Sequence, residues 1–287
     1  MTISPVQTAS LLILASLALA AGYPRQSAMA AAEPPVATFV AHAADVLPAY
    51  HPEPVTIGDA AAYTPPDFAA IKDVKARKAA FYDYLLPKIR EANDEVARER
   101  AWLQSLAEEI VAGRLPTEHQ LAELGRIEAR YAVADSGETV VNRVARLLRR
   151  VDVVPASLVL AQAAKESGWG TSRFAREGNN YFGIWCFYEG CGLTPLSRLP
   201  GRNHEVATFD SVADGVRYYI RTINTHSAYS DLRKMRATAR QARQPLPGEA
   251  LANGLVRYSE RGMAYVREIQ SMIRYNELHR FTRRESA

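Results

Sequence analysis

The stretch from Pro155 to Trp185, PASLVLAQAAKESGWGTSRFAREGNNYFGIW, constrains this chain more than any other. Its first part reads as a short apolar helix opened by Pro155 at the first helical position, where a missing N–H has no partner to lose. Val159, Gln162, Ala163 and Glu166 share one face at helical spacing, and that face is otherwise nearly apolar. Gly168 and Gly170 then end the periodicity and let the backbone turn tightly. This pattern puts the Glu166 carboxylate at the carbonyl end of a helix, on the inward face. Desolvation and the helix dipole both disfavour its charged form there, so its pKa is expected to rise. A carboxylic acid that keeps its proton near neutral pH can protonate the leaving-group oxygen of a glycosidic bond. The same spacing also fits a helix-end glutamate in solvent or paired with Arg173 or Arg176.

A compound motif separates these readings. Ala161 to Gly170 reads AQAAKESGWG, followed by Ser172-Arg173-Phe174-Ala175 and by Gly178-Asn179-Asn180-Tyr181-Phe182-Gly183-Ile184-Trp185. Together these closely resemble the signature of bacterial peptidoglycan β-N-acetylglucosaminidases of glycoside hydrolase family 73, the Bax-type members above all. The likeness runs from about Val140 to Leu278. In that family the glutamate of the string is the catalytic acid, and Glu166 stands in its place. The resemblance implies peptidoglycan glycan strands as the substrate, cleaved on the reducing side of N-acetylglucosamine, and no cofactor. Near the C-terminus, Leu255 to Ile269 resembles the family's last motif, which makes Tyr258 and Tyr265 site candidates. Here the sequence has Arg257 before the first tyrosine and no Asp-Pro pair between the two, unlike the common flagellar-type form.

The rest of the chain sets the frame. With 287 residues, 48% of them hydrophobic, there is material for one sizeable core, or for one core and a smaller helical unit. A net charge of +4 is a mild basic excess, compatible with an anionic wall polymer and poor support for nucleic-acid binding. Residues 1–30 read as a signal peptide: the apolar run Leu11–Gly22 is short for a membrane span, and Ala28-Met29-Ala30 offers small residues for cleavage. No Lys or Arg precedes Leu11, which keeps an uncleaved N-terminal anchor as an alternative. Export to the periplasm is the expected destination, with no membrane span after signal cleavage. Residues 31–66, rich in Pro and Ala, read as an extended leader; 67–134 as a helical N-terminal region with Pro87 a break or kink; and 135–287 as the glucosaminidase domain.

After Trp185 the pattern changes. Tyr181–Phe187 and Glu205–Phe209 read as strands of a small β-lobe, and Ser211 with Asp214 marks the start of the next helix at capping-box spacing. The expected fold is therefore α+β and lysozyme-like, mainly helical with a small β-lobe, preceded by a helical N-terminal region. Cys186 and Cys191, the only cysteines, are expected to form a disulfide across a short loop. The six histidines show no ligand pair at helical spacing, so no metal site is expected. Glu205, on the second strand, ranks first as a second catalytic carboxylate, ahead of Glu189. Asn180 and the aromatic group Tyr181, Phe182 and Trp185 are expected to line the cleft. Trp169 is a candidate to stack on a sugar ring or to wedge the two lobes together. Two rival functions remain: a lytic transglycosylase on a related fold, whose motif normally leads to Gly-Leu-Met-Gln where this chain has Phe182-Gly183-Ile184-Trp185, and a non-catalytic wall-binding protein.

Overall fold

A computed structural model describes residues 65–133, 137–196, 204–245 and 247–282. The expected signal peptide and nearly all of the expected leader lie outside them. A long helix, α1 (Val74–Val111), opens the described chain, with the Asp73 side chain accepting from the Ala76 N–H at 2.7 Å. Its buried stripe of Phe81, Leu85, Ile89, Ala92, Val96, Leu103 and Leu106 follows helical spacing. Two capped helices come next. Thr117 and Gln120 form a reciprocal capping box on α2 (Glu118–Arg130), and Thr139 caps α3 (Val140–Arg150).

The central helix, α4 (Ala156–Ser167), is buried almost all round, which its apolar composition requires. It lies against α1. A short helix, α5 (Arg173–Gly178), leads into the sheet of β1 (Trp185–Cys186), β2 (Gly192–Leu193) and β3 (Glu205–Ala207). The strands are antiparallel in the order β1-β3-β2, with Trp185 opposite Val206 and Gly192 opposite Ala207. Helix α6 (Val212–Thr225) then packs along α1, where Arg217 pairs with Glu91 and Glu95. Helix α7 (Ser230–Gln241), a short α8 (Gly248–Leu251), α9 (Met263–Tyr275) and a final turn α10 (His279–Thr282) complete the structure, α8, α9 and α10 all resting on α4. One continuous core runs from Phe68 on the N-terminal side to Leu278. The fold is α+β and lysozyme-like, mainly helical with a small three-stranded sheet. Among the described residues no helix is long and apolar enough to cross a membrane.

The entry to α4 is fixed by polar side chains. Residues 151–155 run extended before the helix, so their backbone groups cannot pair within an element. Asn93 of α1 satisfies both polar groups of Val154, at 2.9 and 3.0 Å. The Arg236 guanidinium, buried to 1% exposure, donates to the carbonyls of Arg150, Asp152 and Val153 and to Asn224. The Asp152 carboxylate faces Arg240 at 2.8 Å and Arg100 and Arg236 at 3.7 Å. These cations outweigh the cost of burial and hold its pKa below the ordinary aspartate value.

Three expectations change. Helix α1 runs through Pro87 without ending, and Lys88 of the following turn donates to the Tyr84 carbonyl at 3.0 Å, within the stretch that the proline disturbs. Pro155 stands one residue before the helix, its carbonyl accepting the first helical hydrogen bonds from Leu158 and Val159. The strand expected over Tyr181–Phe187 shrinks to Trp185–Cys186, because residues 180–184 form a turn held by Asn180.

Candidate active site

Glu166 occupies the last turn of α4, on the inward face set by the apolar spacing. The helix ends at once. Gly168 is its left-handed cap, Trp169 and Gly170 also have positive φ, and Ser167 accepts from the Gly170 N–H at 2.8 Å while donating to the Ala163 carbonyl. Gly170 is required twice over. Its φ is +77°, and a β-carbon there would meet the Phe68 ring at 2.4 Å. The turn is therefore locked against the N-terminal side of the core, and Glu166 is held one residue before it.

Helix α9 supplies the partner. Tyr265, fully buried, donates from its hydroxyl to Glu166 Oε1 at 2.8 Å. Gln162, one turn before Glu166 on the same face, donates from its amide nitrogen to the Tyr265 hydroxyl oxygen at 3.0 Å. The Tyr219 hydroxyl of α6 donates to the Gln162 amide oxygen. Three helices thus converge on one carboxyl. Burial raises the Glu166 pKa from 4.5 to about 7, partly opposed by the Tyr265 hydrogen bond and by Lys165, while Glu268 adds to the rise. Lys165 is itself paired with Glu268 at 2.9 Å, and Glu268 with Arg261.

The other oxygen faces Gly183. A β-carbon on Gly183 would lie 3.6 Å from Glu166 Oε2, and its φ is +64°. The turn that carries Gly183 is built by Asn180, whose two donors go to the carbonyls of Ile184 and Ala207 and whose oxygen accepts from the N–H groups of Phe182 and Ile184. Tyr258 completes it by donating to the Phe182 carbonyl at 2.8 Å, its ring stacked on Tyr265 with centroids 5.3 Å apart.

This geometry redistributes the residues expected to touch substrate. Tyr265 and Glu166 meet directly. Tyr258 is buried behind them and positions the turn. Asn180 is a correction: it is 1% exposed, and both its donors and both its acceptor positions are used within the fold. Tyr181 and Phe182 are corrections as well. Tyr181 packs toward Phe81, and Phe182 stacks on Tyr219 at 4.1 Å, so both support the turn from within the core. Trp185 remains partly exposed and stacks on His204 at 4.2 Å. Trp169 lies edge-on to Phe81 and Tyr82 of α1, with the Lys78 ammonium over its ring, so it wedges the turn after α4 against α1.

Glu205 is buried on β3, and its oxygens accept from the N–H groups of Gly190 and Gly192, at 3.3 and 2.8 Å. It staples the loop that the Cys186–Cys191 disulfide also closes. Those three residues come close enough together to suggest a metal site, but the two sulfurs are bonded to each other and are not thiolate ligands. The site residues not singled out from sequence are Gln162, Tyr219 and Gly183. Gln162 carried a signal, its four-residue spacing from Glu166 on one face; Tyr219 had only its place on the buried face of α6.

Residues 142–278 match the glucosaminidase family, described as mannosyl-glycoprotein endo-β-N-acetylglucosaminidase. The chain is also similar to protein Bax of Escherichia coli strain K12, at 36% identity over 212 residues, covering 74% of this chain and 74% of that protein. No solved structure matches it.

Proposed function

The chain belongs to the glucosaminidase family as a Bax-type member, and from that premise we propose that it hydrolyses peptidoglycan at the glycosidic bond on the reducing side of N-acetylglucosamine. The observation that carries the proposal is the carboxyl of Glu166, held by Tyr265 at a buried helix end and pushed up to about 7. Such a group is protonated over much of the neutral range, as a general acid must be. Glu166 gives its proton to the glycosidic oxygen as the bond to the anomeric carbon breaks, and water completes the hydrolysis. The new carboxylate is stabilised by the Tyr265 hydroxyl, which is already aimed at Oε1. Glu205 enters this mechanism as the residue that fixes the β-lobe loop, since its oxygens are engaged by backbone N–H groups. The disulfide supports an exported, oxidising destination.

The test is mass spectrometry of the muropeptides released from purified cell wall by the protein and by Glu166→Gln. Fragments with reducing N-acetylglucosamine ends, lost in the variant, are the expected result. Anhydro-sugar ends would establish a lytic transglycosylase instead, and no release by the wild type would leave a wall-binding protein.

A further inference from the structure

We propose that Gln162 is a positioning residue that gives the hydrogen-bond chain Tyr219–Gln162–Tyr265–Glu166 a single direction, so that Tyr265 donates to Oε1 and the transferable proton resides on Oε2. The inference rests on the hydrolase reading of Glu166 and deepens it.

Tyr219 is buried, with its hydroxyl against the Gln162 amide oxygen. An amide oxygen has no hydrogen, so the phenol must donate. In the same orientation the amide nitrogen faces Tyr265, 3.0 Å from the phenol oxygen, and it can only donate. The Tyr265 oxygen is thereby used as an acceptor, and its own hydrogen goes to Glu166 Oε1 at 2.8 Å. A proton on Oε1 would confront that hydrogen. It belongs on Oε2, the oxygen beside Gly183, which Tyr265 does not engage.

Reversing the amide would reverse everything downstream. Tyr265 would donate to Gln162, and an ionised Glu166 would face a phenol lone pair instead of a hydrogen. Only the observed direction gives the carboxylate left by proton transfer a ready donor, and a chain of aligned donors polarises each successive bond. In the transfer the Oε2 proton moves to the glycosidic oxygen, which keeps the electron pair of its broken bond to carbon. Water later contributes its hydroxyl to the anomeric carbon and its proton to Glu166. Besides this chain, the groups acting on Glu166 are Lys165, Glu268 and the buried phenols of Tyr229 and Tyr258, none of which belongs to the hydrogen-bonded sequence.

The experiment is a 13C titration of the Glu166 carboxyl in the full chain, assigned by its loss in Glu166→Gln, together with kcat and KM on purified peptidoglycan. Gln162→Met and Tyr219→Phe are each expected to move the Glu166 midpoint upward and lower kcat about tenfold, with KM little changed. Adding Tyr219→Phe to Gln162→Met is expected to change nothing more, because the chain is already cut. Tyr265→Phe should move the midpoint furthest. The proposal is overturned if Tyr265→Phe moves the midpoint while Gln162→Met and Tyr219→Phe leave it where the wild type has it. Should Gln162→Met not fold, Tyr219→Phe, which removes a single oxygen, decides the matter. A wild type that releases no muropeptides would sink the hydrolase reading, whereas the titration judges the hydrogen-bond chain independently of turnover.

Discussion

Gly183 and Glu166 stand face to face: a β-carbon on Gly183 would lie 3.6 Å from Oε2, the carboxylate oxygen that Tyr265 does not engage. The glycine keeps that oxygen approachable, and its φ of +64° suits no β-branched or bulky side chain. Gly183→Ala is expected to lower stability by about 1–2 kcal/mol through left-handed strain. It should also lower kcat at least tenfold, about 1.4 kcal/mol, because the methyl sits where a glycosidic oxygen would approach. Urea unfolding and turnover on purified wall read the two effects separately. A variant with the stability cost and full activity would show that substrate does not approach Oε2.

Glu166 makes the protein's stability depend on pH in an unusual direction for a carboxylate. Its folded pKa of about 7 lies above the ordinary value of 4.5, so the folded state keeps a proton that the unfolded chain has already lost. The favourable contribution is complete below about pH 4.5 and is lost as pH rises through about 7, a change of roughly 3 kcal/mol. Glu166→Gln cannot titrate there. Its stability relative to the wild type is expected to grow between these pH values and then level off, as measured by urea unfolding at pH 4.5, 6 and 8. Wild-type activity should fall over the upper part of the same range, as the acid loses its proton. A stability difference independent of pH would mean that Glu166 is solvated in solution.

What the sequence disclosed and what it concealed divide along a physical line. The helix ending at Ser167, the cap on α6 and the Cys186–Cys191 loop rest on neighbours within a few residues, and local pattern reveals them. The place of Glu166 at an inward helix end is legible because the apolar face and the glycine stop are both local. Asn180 was misread as a contact for substrate because its four hydrogen bonds reach β3 as well as its own turn, and nothing in NNYFGIW shows that the carbonyl of Ala207 will be its partner. Tyr181 and Phe182 have the composition of a sugar platform, yet aromatic rings serve equally well as core, and only the arrival of Phe81 and Tyr219 from other helices decides between them. Tyr219 lies 57 positions from Gln162, and Tyr265 lies 99 from Glu166, distances over which spacing carries no signal.

Glu205 can be separated from Glu166 by the same substitution. If it staples the loop, Glu205→Gln keeps an acceptor oxygen for one of the Gly190 and Gly192 N–H groups and retains kcat within about tenfold of wild type. Glu166→Gln should lose about 1,000-fold, the scale expected for a missing general acid. Glu205→Ala leaves both N–H groups without their partner and is expected to cost about 1–3 kcal/mol. If Glu205→Gln matched Glu166→Gln in lost kcat while unfolding normally, the carboxylate of Glu205 would be part of the chemistry.

The cluster around Asp152 holds the entry to the helix that carries the acid, and its sign is opposite to that of Glu166. Three arginines depress the Asp152 pKa in the fold, so its contribution to stability is present above the ordinary aspartate value, about 3.9, and is lost as pH falls through the lower folded value. Asp152→Asn removes the charge while the Arg236 guanidinium stays buried among backbone carbonyls. Breaking one partner out of a buried ion pair costs about 3–5 kcal/mol, which corresponds to a melting temperature lower by about 10 °C for a chain of this size. The deficit is expected to be constant above about pH 5, to begin closing below the ordinary aspartate value of about 3.9, and to vanish only once the pH is below the depressed folded value, where the wild-type carboxylate is also neutralised. Thermal unfolding of both proteins from pH 3 to 7 checks this. Because none of the three arginines that face Asp152 is among the groups acting on Glu166, the Glu166 titration in folded Asp152→Asn should coincide with that of the wild type; a shifted midpoint would mean that the arginine cluster and the acid are electrostatically coupled through the helix.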